Sequence, residues 1–435
     1  MLKKLTLLSI ACFASTSFSA IAAPKNIIYM IGDGMGPAYL AAYRYYMDNP
    51  DTKVVERTVF DELWIGNAST YPDDDTVVTD SAAAATALSS HFKTYNGAIA
   101  VDHDHKPLTT MMEIAKAKGM QTGVVVTAQI NHATPAGFLA HDPSRQNYDQ
   151  IADDYIDNKV NGQLVADLML GGGTSYFIRK DRNLVEEFKQ AGYQYADSWT
   201  GLKSLNKVPA LGLFAPKGFV SALDNPEPLP LKQMTEKALE LLTPAEKGFV
   251  VMIEGSQIDW CGHANDIACA MAEMHDFAEA IKVAKAYVDS HPDTILVVTA
   301  DHETGGLSLG AKGNYSWKRD VIKKVKHSGD YIAGQLLALK DEKVLYQAWL
   351  GLTAIELKAD EQQLLNQARS QGLEALAKAV KQRIDHYSTT GWTSGGHTAV
   401  DVPVLAYGAE KQVFAGFQDN TQIAAKLIQF IQQKN

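Results

Sequence analysis

The chain has 435 residues, of which 46% are hydrophobic and 21% are charged. This length and apolar fraction allow a large buried core, in one big α/β domain or in two smaller ones. The formal net charge of −10 argues against a nucleic-acid partner or an anionic membrane surface as the binding target. An anionic substrate would therefore need local positive charge or a metal ion in order to bind.

The first residues have the pattern of an export signal. Two lysines precede an apolar run over residues 5–14, and an Ala-Ile-Ala cleavage pattern ends at residue 22. We expect residues 1–22 to be a secretory signal peptide and the mature protein to be periplasmic or secreted. No later stretch of the sequence is apolar over the length that a membrane span needs.

After this signal, short apolar runs alternate with helical patterns. Four runs are continuous, short and rich in β-branched residues, which is typical of strands buried on both faces; they cover residues 26–31, 123–127, 249–253 and 294–299. Amphipathic segments that predict helices lie between or beside them, at 108–118, 235–242 and 266–289. The alternation predicts an α/β fold, a three-layer αβα sandwich around a large, mainly parallel sheet.

An alanine-rich segment over residues 77–88 predicts a helix that starts near Ser81. Thr79, Asp80 and Ser81 are residue types that cap helices, and the first N–H groups of a helix are free to bind an anion. A serine placed there could attack a phosphorus atom, although it needs a base or a metal ion to become a strong nucleophile. Taken alone, the segment favours an ordinary capped helix start over a catalytic serine.

Polar side chains follow each of the four predicted strands. In open α/β sheets the functional site lies beyond the carboxyl ends of the strands, so we expect these side chains to converge. Each one alone is compatible with a turn or a structural histidine. In chain order the groups are Asp33, Asn131 to Thr134, Glu254 to His263, and Asp301 to Glu303.

Two spacings indicate a site for a metal ion with mixed ligands. Asp259 and His263 are one helical turn apart, so both side chains can reach one ion. Asp301 and His302 form a second pair at a strand end, and His397 can complete the first site. Nitrogen and oxygen ligands together favour Zn²⁺.

A further group of candidates offers only oxygen atoms. Asp33, Thr134 and Glu254 each follow a predicted strand. Oxygen ligands suit a hard cation such as Mg²⁺. The sequence therefore predicts a second kind of metal site close to the first.

With these motifs in place, the chain resembles the alkaline phosphatase family. Seven motifs carry the resemblance, and they occur in family order over almost the whole mature chain. They are IGDGMG around Asp33, VTDSAAAATA around Ser81, NHATP over 131–135, HDPSRQNY around Arg145, the segment 254–263, DHE over 301–303 and GGHT around His397.

The resemblance implies a site with two zinc ions and one magnesium ion. One zinc would be held by Asp259, His263 and His397. The second zinc would lie beside Ser81 and would be held by Asp33, Asp301 and His302. The magnesium ion would be held by Asp33, Thr134 and Glu254.

The resemblance also implies the reaction, which is hydrolysis of a broad range of small phosphate monoesters through a phosphoserine at Ser81. Arg145 would bind the phosphate by a two-pronged hydrogen bond, which a guanidinium suits better than an ammonium. His132 and Trp260 look like the pair found in animal and some marine bacterial members, whereas the enterobacterial members have Asp and Lys. We expect both residues to lie at the substrate.

The resemblance further implies one catalytic domain over residues 23–435, with a variable insertion at about 306–390. The insertion contains a basic patch over residues 318–326 and a helical pattern over 359–386. We expect a solvated helical addition. A region that joins two subunits into a homodimer is the alternative.

Two cysteines, Cys261 and Cys269, lie beyond the signal. Both fall in one predicted helical region, where their spacing points the side chains in different directions. We therefore expect two separate buried thiols, not a disulfide.

Two other functions remain open. A phosphodiesterase or a sulfatase of the same superfamily is the first, but a sulfatase needs a Cys-x-Pro-x-Arg or Ser-x-Pro-x-Arg motif, which the segment after Ser81 lacks. The second is a non-catalytic protein that binds phosphate or metal, which would tolerate the loss of Ser81 or Arg145.

Overall fold

The computed structural model describes residues 23–433, so the predicted signal peptide lies outside the described residues. Sixteen strands occur within this range, and ten of them form one sheet. The strands are β1 (Asn26–Gly32), β2 (Trp64–Ser69), β3 (Gln121–Gln129), β4 (Lys159–Val160), β5 (Gln163–Leu164), β6 (Leu168–Gly172), β7 (Gln194–Ala196), β8 (Ala210–Leu213), β9 (Phe249–Gly255), β10 (Thr294–Ala300), β11 (Glu303–Thr304), β12 (Ser308–Leu309), β13 (Thr390–Gly391), β14 (His397–Thr398), β15 (Val402–Gly408) and β16 (Gly416–Asp419).

Eighteen α-helices connect and cover these strands within the same range, together with one short 3-10 helix at Lys411–Phe414. The α-helices are α1 (Pro37–Met47), α2 (Val59–Leu63), α3 (Ser81–Ser90), α4 (Met111–Ala117), α5 (Ala133–Leu139), α6 (Tyr148–Asp157), α7 (Thr174–Phe177), α8 (Leu184–Gln190), α9 (Trp199–Ser204), α10 (Pro230–Leu242), α11 (Gln257–His263), α12 (Ile267–Ser290), α13 (Arg319–Ile322), α14 (Gly329–Leu337), α15 (Glu342–Thr353), α16 (Ala359–Ser370), α17 (Leu373–Ser388) and α18 (Asn420–Gln432).

The large sheet has the strand order β16-β2-β15-β10-β1-β9-β3-β6-β8-β7. All neighbours pair in parallel except β15, which is antiparallel to both β10 and β2. Two groups of helices pack on it, one made of α1, α2, α10 and α12, and the other of α3, α4, α5 and α18. The predicted sandwich around a mainly parallel sheet is confirmed.

The central strands are the most buried part of the molecule. Every residue of β1, β9 and β10 is buried, which explains why these segments read as continuous apolar runs and not as alternating ones. β1 lies between β10 and β9, with Met30 opposite Val298 on one side and Ile253 on the other. The carboxyl ends of these three strands therefore meet at one edge of the sheet.

Helix starts follow the capping side chains. Asp80 caps α3, because its side chain accepts a hydrogen bond of 2.9 Å from the backbone N–H of Ala83, so the helix begins at Ser81 as predicted. The helix predicted over 108–118 begins only at Met111, because Thr110 and Glu113 form a capping box at its start.

The interval predicted as an insertion contains α13 to α17. These helices contribute fully buried side chains to the hydrophobic core of the molecule: Ile332, Leu336, Trp349, Leu376 and Val380. The helical pattern predicted over 359–386 is two helices, α16 and α17, separated at Gly372, whose φ of 107° lies in the region that favours glycine. None of the helices within residues 23–433 is long and apolar enough to cross a membrane.

The expectation of two separate thiols is wrong, because Cys261 and Cys269 form a disulfide. The predicted single helical region is two helices, since α11 ends at His263 and α12 begins at Ile267. Asn265, between them, has a left-handed φ of 51°. This turn brings the two Cα atoms within 5.5 Å, a separation that a disulfide requires.

Candidate active site

The strand ends bring the predicted site residues together at one edge of the sheet. Asp33 follows β1, Glu254 lies at the end of β9 and Asp301 follows β10. Gly34 lets these loops approach closely, because it has a φ of 72° and a Cβ there would lie only 2.7 Å from the Thr304 hydroxyl. The acidic residues are all fully buried, although charged side chains rarely are unless they are paired.

The first cluster consists of Asp259, His263 and His397. The Nε2 atoms of the two histidines are 3.1 Å apart. Asp259 Oδ1 lies 3.4 Å from Nε2 of His263 and 3.5 Å from Nε2 of His397. Residues separated by more than a hundred positions therefore converge on one point.

Backbone carbonyls fix which nitrogen of each imidazole faces that point. Nδ1 of His263 lies 2.8 Å from the carbonyl oxygen of Gly395, and Nδ1 of His397 lies 2.9 Å from that of Thr79. A carbonyl oxygen can only accept, so both Nδ1 atoms donate a proton. The two Nε2 lone pairs then face each other and a carboxylate, which requires a positive charge between them.

Hydrogen bonds to Asp259 set the charges of this cluster. The Asp259 hydrogen bond raises the pKa of His263 to about 9. Burial by itself would raise the pKa of Asp259, but hydrogen bonds from His263 and His397 hold it well below its usual range. The same three atoms fit a zinc ion, since ligands about 2.0–2.1 Å from a tetrahedral ion are about 3.3 Å from one another.

The second cluster surrounds the hydroxyl of Ser81. Nε2 of His302 lies 3.1 Å from Ser81 Oγ, 3.4 Å from Asp33 Oδ1 and 3.3 Å from Asp301 Oδ2. Asp301 Oδ1 accepts backbone hydrogen bonds from Gly34 and His302, both of 3.0 Å. Its Oδ2 has no hydrogen-bond partner among the described residues. These four side chains also have the spacing of ligands around one tetrahedral ion.

The imidazoles of His302 and His397 join the two clusters. Their rings stack with centroids 3.6 Å apart, and the His397 ring lies 4.9 Å from that of His263. Burial lowers the pKa of His302 well below its usual value, so this imidazole is neutral. The three histidines form a row that runs from Ser81 at one end to His263 at the other.

Thr304 is a site residue that the sequence analysis missed. Its hydroxyl donates a hydrogen bond of 2.5 Å to Asp259 Oδ1 and lies 3.2 Å from Nδ1 of His302. Because the single hydroxyl proton goes to Asp259, Thr304 accepts the Nδ1 proton of His302. One side chain thus orients a member of each cluster. The sequence offers only a weak signal for it, which is its position directly after the Asp-His-Glu motif.

A third cluster lies behind Asp33 and offers mostly oxygen. Both carboxylate oxygens of Asp33 and of Glu254, and the hydroxyl of Thr134, are buried without a hydrogen-bond partner in residues 23–433. Burial and the charge of Asp301 raise the pKa of Glu254 to about 8. Unpartnered buried oxygens of this kind need a cation or bound water. His132 completes the group, with a ligand atom within 4.8 Å of those of Asp33 and Glu254.

Arg145 lies beside the nucleophile candidate. Its Nη1 donates a hydrogen bond of 2.9 Å to Asp80, the residue before Ser81, and its Nη2 lies 3.5 Å from Nε2 of His132. Burial and the charge of Arg145 lower the pKa of His132 to about 3, so His132 is neutral there.

Trp260 packs edge-on against His132, with ring centroids 5.9 Å apart. Gly218 makes room for the indole, because a Cβ at that position would lie 2.4 Å from the ring.

Glu303, which belongs to the last of the strand-end motifs, accepts hydrogen bonds from the backbone next to the site. Its carboxylate accepts hydrogen bonds from the N–H groups of Gly306 and Leu307, at 2.9 Å and 3.3 Å, and from the hydroxyl of Thr398. Thr398 follows His397, and β14 pairs with β11. Glu303 therefore secures the strand that carries His397.

Comparisons with known proteins identify the family of the chain. A family profile described as alkaline phosphatase matches residues 24–433. Alkaline phosphatase 3 of Bacillus subtilis is 45% identical over 447 residues, which cover 98% of this chain and 97% of that protein. The structure of the cold-active alkaline phosphatase of Shewanella sp. has a TM-score of 0.89 at 50% identity and covers 93% of this chain and 99% of its own.

A more distant solved structure is a variant of the alkaline phosphatase of the bacterium TAB5. It has a TM-score of 0.71 at 28% identity, with 95% of this chain and 99% of that chain covered. The family profile and these relatives span almost all of the described residues. The chain therefore belongs to the alkaline phosphatase family and is a phosphoric monoester hydrolase.

Proposed function

We propose that this enzyme hydrolyses a broad range of phosphate monoesters through a phosphoserine at Ser81, at a site that holds two zinc ions and one magnesium ion. The observation that carries the proposal is the arrangement of unshared electron pairs around one hydroxyl. Nε2 of His302 lies 3.1 Å from Ser81 Oγ, and the buried carboxylates of Asp33 and Asp301 lie within 3.4 Å of the same nitrogen. This arrangement is suited to cations and to an oxygen nucleophile.

The three clusters differ in the metal that their donors suit. Asp259, His263 and His397 would hold one zinc ion. Ser81, Asp33, Asp301 and His302 would hold the second. When bound, the zinc ions supply Lewis-acid stabilisation of negative charge on the oxygens that enter and leave phosphorus.

Asp33, Thr134 and Glu254 would hold magnesium, because they offer oxygen only. A variant of the TAB5 alkaline phosphatase with glutamate in place of a histidine has magnesium bound in a site named M3. That observation supports a hard-cation position in this fold. In this chain we propose that His132 stands next to the magnesium ligands.

The protein's own groups perform the transfer in two steps. Ser81 Oγ forms a bond to phosphorus while the bond from phosphorus to the alcohol oxygen breaks. The hydroxyl proton of Ser81 passes to water, and water supplies the proton with which the alcohol leaves. Water then attacks the phosphoserine, and inorganic phosphate leaves as Ser81 regains its proton. Each step retains the in-line geometry that phosphoryl transfer requires.

Arg145 would bind two phosphate oxygens, and Asp80 holds its guanidinium in place. The neutral imidazole of His132 and the indole N–H of Trp260 would border the same phosphate. Because these contacts involve the phosphate and not the alcohol, the enzyme should accept many alcohols. We further propose that the mature chain forms one catalytic domain and is exported to the periplasm or secreted. It would act as a monomer or, as the alternative, as a homodimer.

One assay tests this proposal against the diesterase, the sulfatase and the non-catalytic protein. Purified enzyme is given an aryl phosphate, the corresponding diester and the corresponding sulfate, with and without a chelator. We expect rapid, chelator-sensitive turnover of the monoester only. Preference for the diester or the sulfate, or no turnover at all after reloading with metal, would contradict the proposal.

A further inference from the structure

A large groove lies between the helical insertion and the core, next to the site. It has a volume of about 1430 Å³, more than the roughly 300–1,000 Å³ typical of a small-ligand pocket. Its walls include His263 and Asn265 from the core, Lys312 from the loop after β12, and Lys378 and Lys381 from α17. The insertion therefore forms one side of a cleft that the core alone would lack.

His263 belongs to both the groove and the first cluster. Its side chain is 41% exposed, whereas that of His302 is 0% exposed. In the row of imidazoles, Ser81 and His302 lie at the buried end and His263 lies at the open end. In-line transfer from the alcohol to Ser81 places the leaving oxygen on the side away from Ser81. The leaving alcohol would therefore point toward the groove.

The charges in the groove differ from those of the whole chain. The chain has a net charge of −10, yet cationic side chains outnumber acidic ones in the groove. Its lining contains the cations Lys312, Lys378, Lys381 and Arg383 and the acidic residues Asp330, Glu374 and Asp385. Lys381 pairs with Asp330 at 2.9 Å, and Arg383 pairs with Glu361 at 3.0 Å.

Lys312 and Lys378, in contrast, make no hydrogen bond or ion pair with any residue of the described range 23–433. Both are exposed. Both ammonium groups can therefore bind an anion in the groove, although the charge of Lys312 also acts on the carboxyl group of Asp385.

The floor of the groove is polar as well. Trp392 and Asp385 line it, and the indole N–H of Trp392 and Oδ1 of Asp385 are buried without a hydrogen-bond partner in the part of the chain that the structure describes. Burial raises the pKa of Asp385 to about 8, so this carboxyl group is largely protonated at neutral pH and adds little negative charge. The floor of the groove therefore adds little negative charge to oppose the cations of its walls.

We infer that this groove is a leaving-group subsite, and that it favours phosphate monoesters whose alcohol carries a second anionic group, such as another phosphate. Lys312 and Lys378 determine this preference by binding the second anion. The inference rests on the proposed function, because it concerns where the alcohol part of the same phosphate monoester binds.

The test compares fructose bisphosphate with fructose monophosphate, using the metal-loaded enzyme and a double variant, Lys312→Ala with Lys378→Ala. We expect KM for the bisphosphate to rise about tenfold in the variant, with little change in kcat, because two exposed charge contacts are lost. The kinetic constants for the monophosphate should change less than about twofold. Added salt should reduce the wild-type preference by screening the same contacts.

A matched control removes two exposed lysines of the insertion that do not line the groove, Lys324→Ala with Lys340→Ala. This control changes the net charge equally and should leave both substrates unaffected. Equal losses on both substrates in the groove variant, or the same bisphosphate loss in the control, would overturn the inference while leaving the phosphatase intact. A wild-type enzyme that hydrolyses neither substrate would overturn the proposed function instead.

Discussion

At the scale of single residues, the site depends on which nitrogen of each histidine is left free. Carbonyl oxygens of Gly395 and Thr79 take the Nδ1 protons of His263 and His397. The hydroxyl oxygen of Thr304 accepts the Nδ1 proton of His302. The Nε2 atom of His302 therefore faces Ser81, and those of His263 and His397 face Asp259. In metal sites, partners on the other ring nitrogen orient histidine ligands in this way.

The Thr304 hydroxyl should control metal binding in both of the clusters for which we propose zinc, since it contacts Asp259 and His302. We expect Thr304→Val, which retains the shape and removes the hydroxyl, to weaken zinc affinity about 10–100-fold. Thr304→Ser should restore most of the affinity because it restores the hydroxyl. Competition with a chromogenic chelator measures this directly, and an unchanged affinity in Thr304→Val would show that the hydroxyl is not needed.

Sequence reasoning predicted the side chains that converge but not the groups that hold them. Asp259 with His263, and Asp301 with His302, stand out because acidic and imidazole ligands occur at short spacings. Thr304 and the carbonyls of Gly395 and Thr79 have no comparable pattern. A carbonyl is present at every residue, and only the folded chain decides which one an imidazole meets.

At the scale of helices and strands, burial decides what can be predicted. The runs predicted at 26–31, 249–253 and 294–299 each extend in the structure by one or two residues, to Gly32, Gly255 and Ala300. A strand buried on both faces must be apolar throughout, so its sequence is distinctive. Helix ends depend on capping and on local turns, which explains the late start at Met111 and the unforeseen turn at Asn265.

That turn makes the disulfide a structural part of the site. Cys261 lies between Asp259 and His263 on α11, and its partner Cys269 lies in the first turn of α12. The bond spans a separation of 8 residues. It therefore fixes the end of the short helix that carries two predicted zinc ligands.

Replacing both cysteines with serine should lower the free energy of unfolding by about 2 kcal/mol, because the denatured chain loses a constraint on a short loop. We expect a lower melting temperature and weaker zinc retention at the same time. Thermal unfolding of the oxidised wild type, the reduced wild type and the double variant measures the effect. Equal melting temperatures for all three would contradict the disulfide.

At the scale of the whole molecule, the site concentrates negative charge in the core. Asp33, Glu254, Asp259 and Asp301 are all buried where the strands end. Burial raises the pKa of Glu254 to about 8 and that of Asp301 to about 6. A core of this kind gains stability from bound cations, since ionised carboxylates in an apolar surrounding are costly unless they are paired.

These buried carboxyl groups predict how the stability of the metal-free protein depends on pH. The pKa values of Glu254 and Asp301 are higher in the folded chain than in the unfolded one, so the folded chain binds more protons between about pH 4 and pH 8. Chelator-treated protein should therefore lose stability as pH rises through this window. The metal-loaded protein should not, because its carboxylates are already ionised and paired.

Melting temperatures of both forms at several pH values test this expectation. Glu246→Gln supplies a matched control, because this exposed carboxylate lies outside the clusters. The fall in melting temperature with rising pH, seen in the metal-free protein, should persist in the Glu246→Gln variant. It should be smaller in Glu254→Gln. A metal-free protein that gains stability between about pH 5 and pH 8 would contradict the assignment of the buried carboxylates.

The overall architecture was predictable, and the form of the insertion was not. The order of strands, helices and ligand motifs indicates the sandwich and the edge at which the site lies. The insertion reads only as helical, because its amphipathic pattern does not specify how α17 lies against the core. The groove that it forms beside His263 depends on that packing and becomes visible only in three dimensions.

The most direct test of this account is to find where the phosphoryl group goes. The enzyme is mixed with an aryl phosphate, quenched in acid and digested, and the peptides are analysed by mass spectrometry. We predict phosphate on Ser81 in the wild type, and no phosphopeptide and almost no turnover in Ser81→Ala, which should still bind its metals. Phosphate on another residue, or full turnover by Ser81→Ala, would contradict the account.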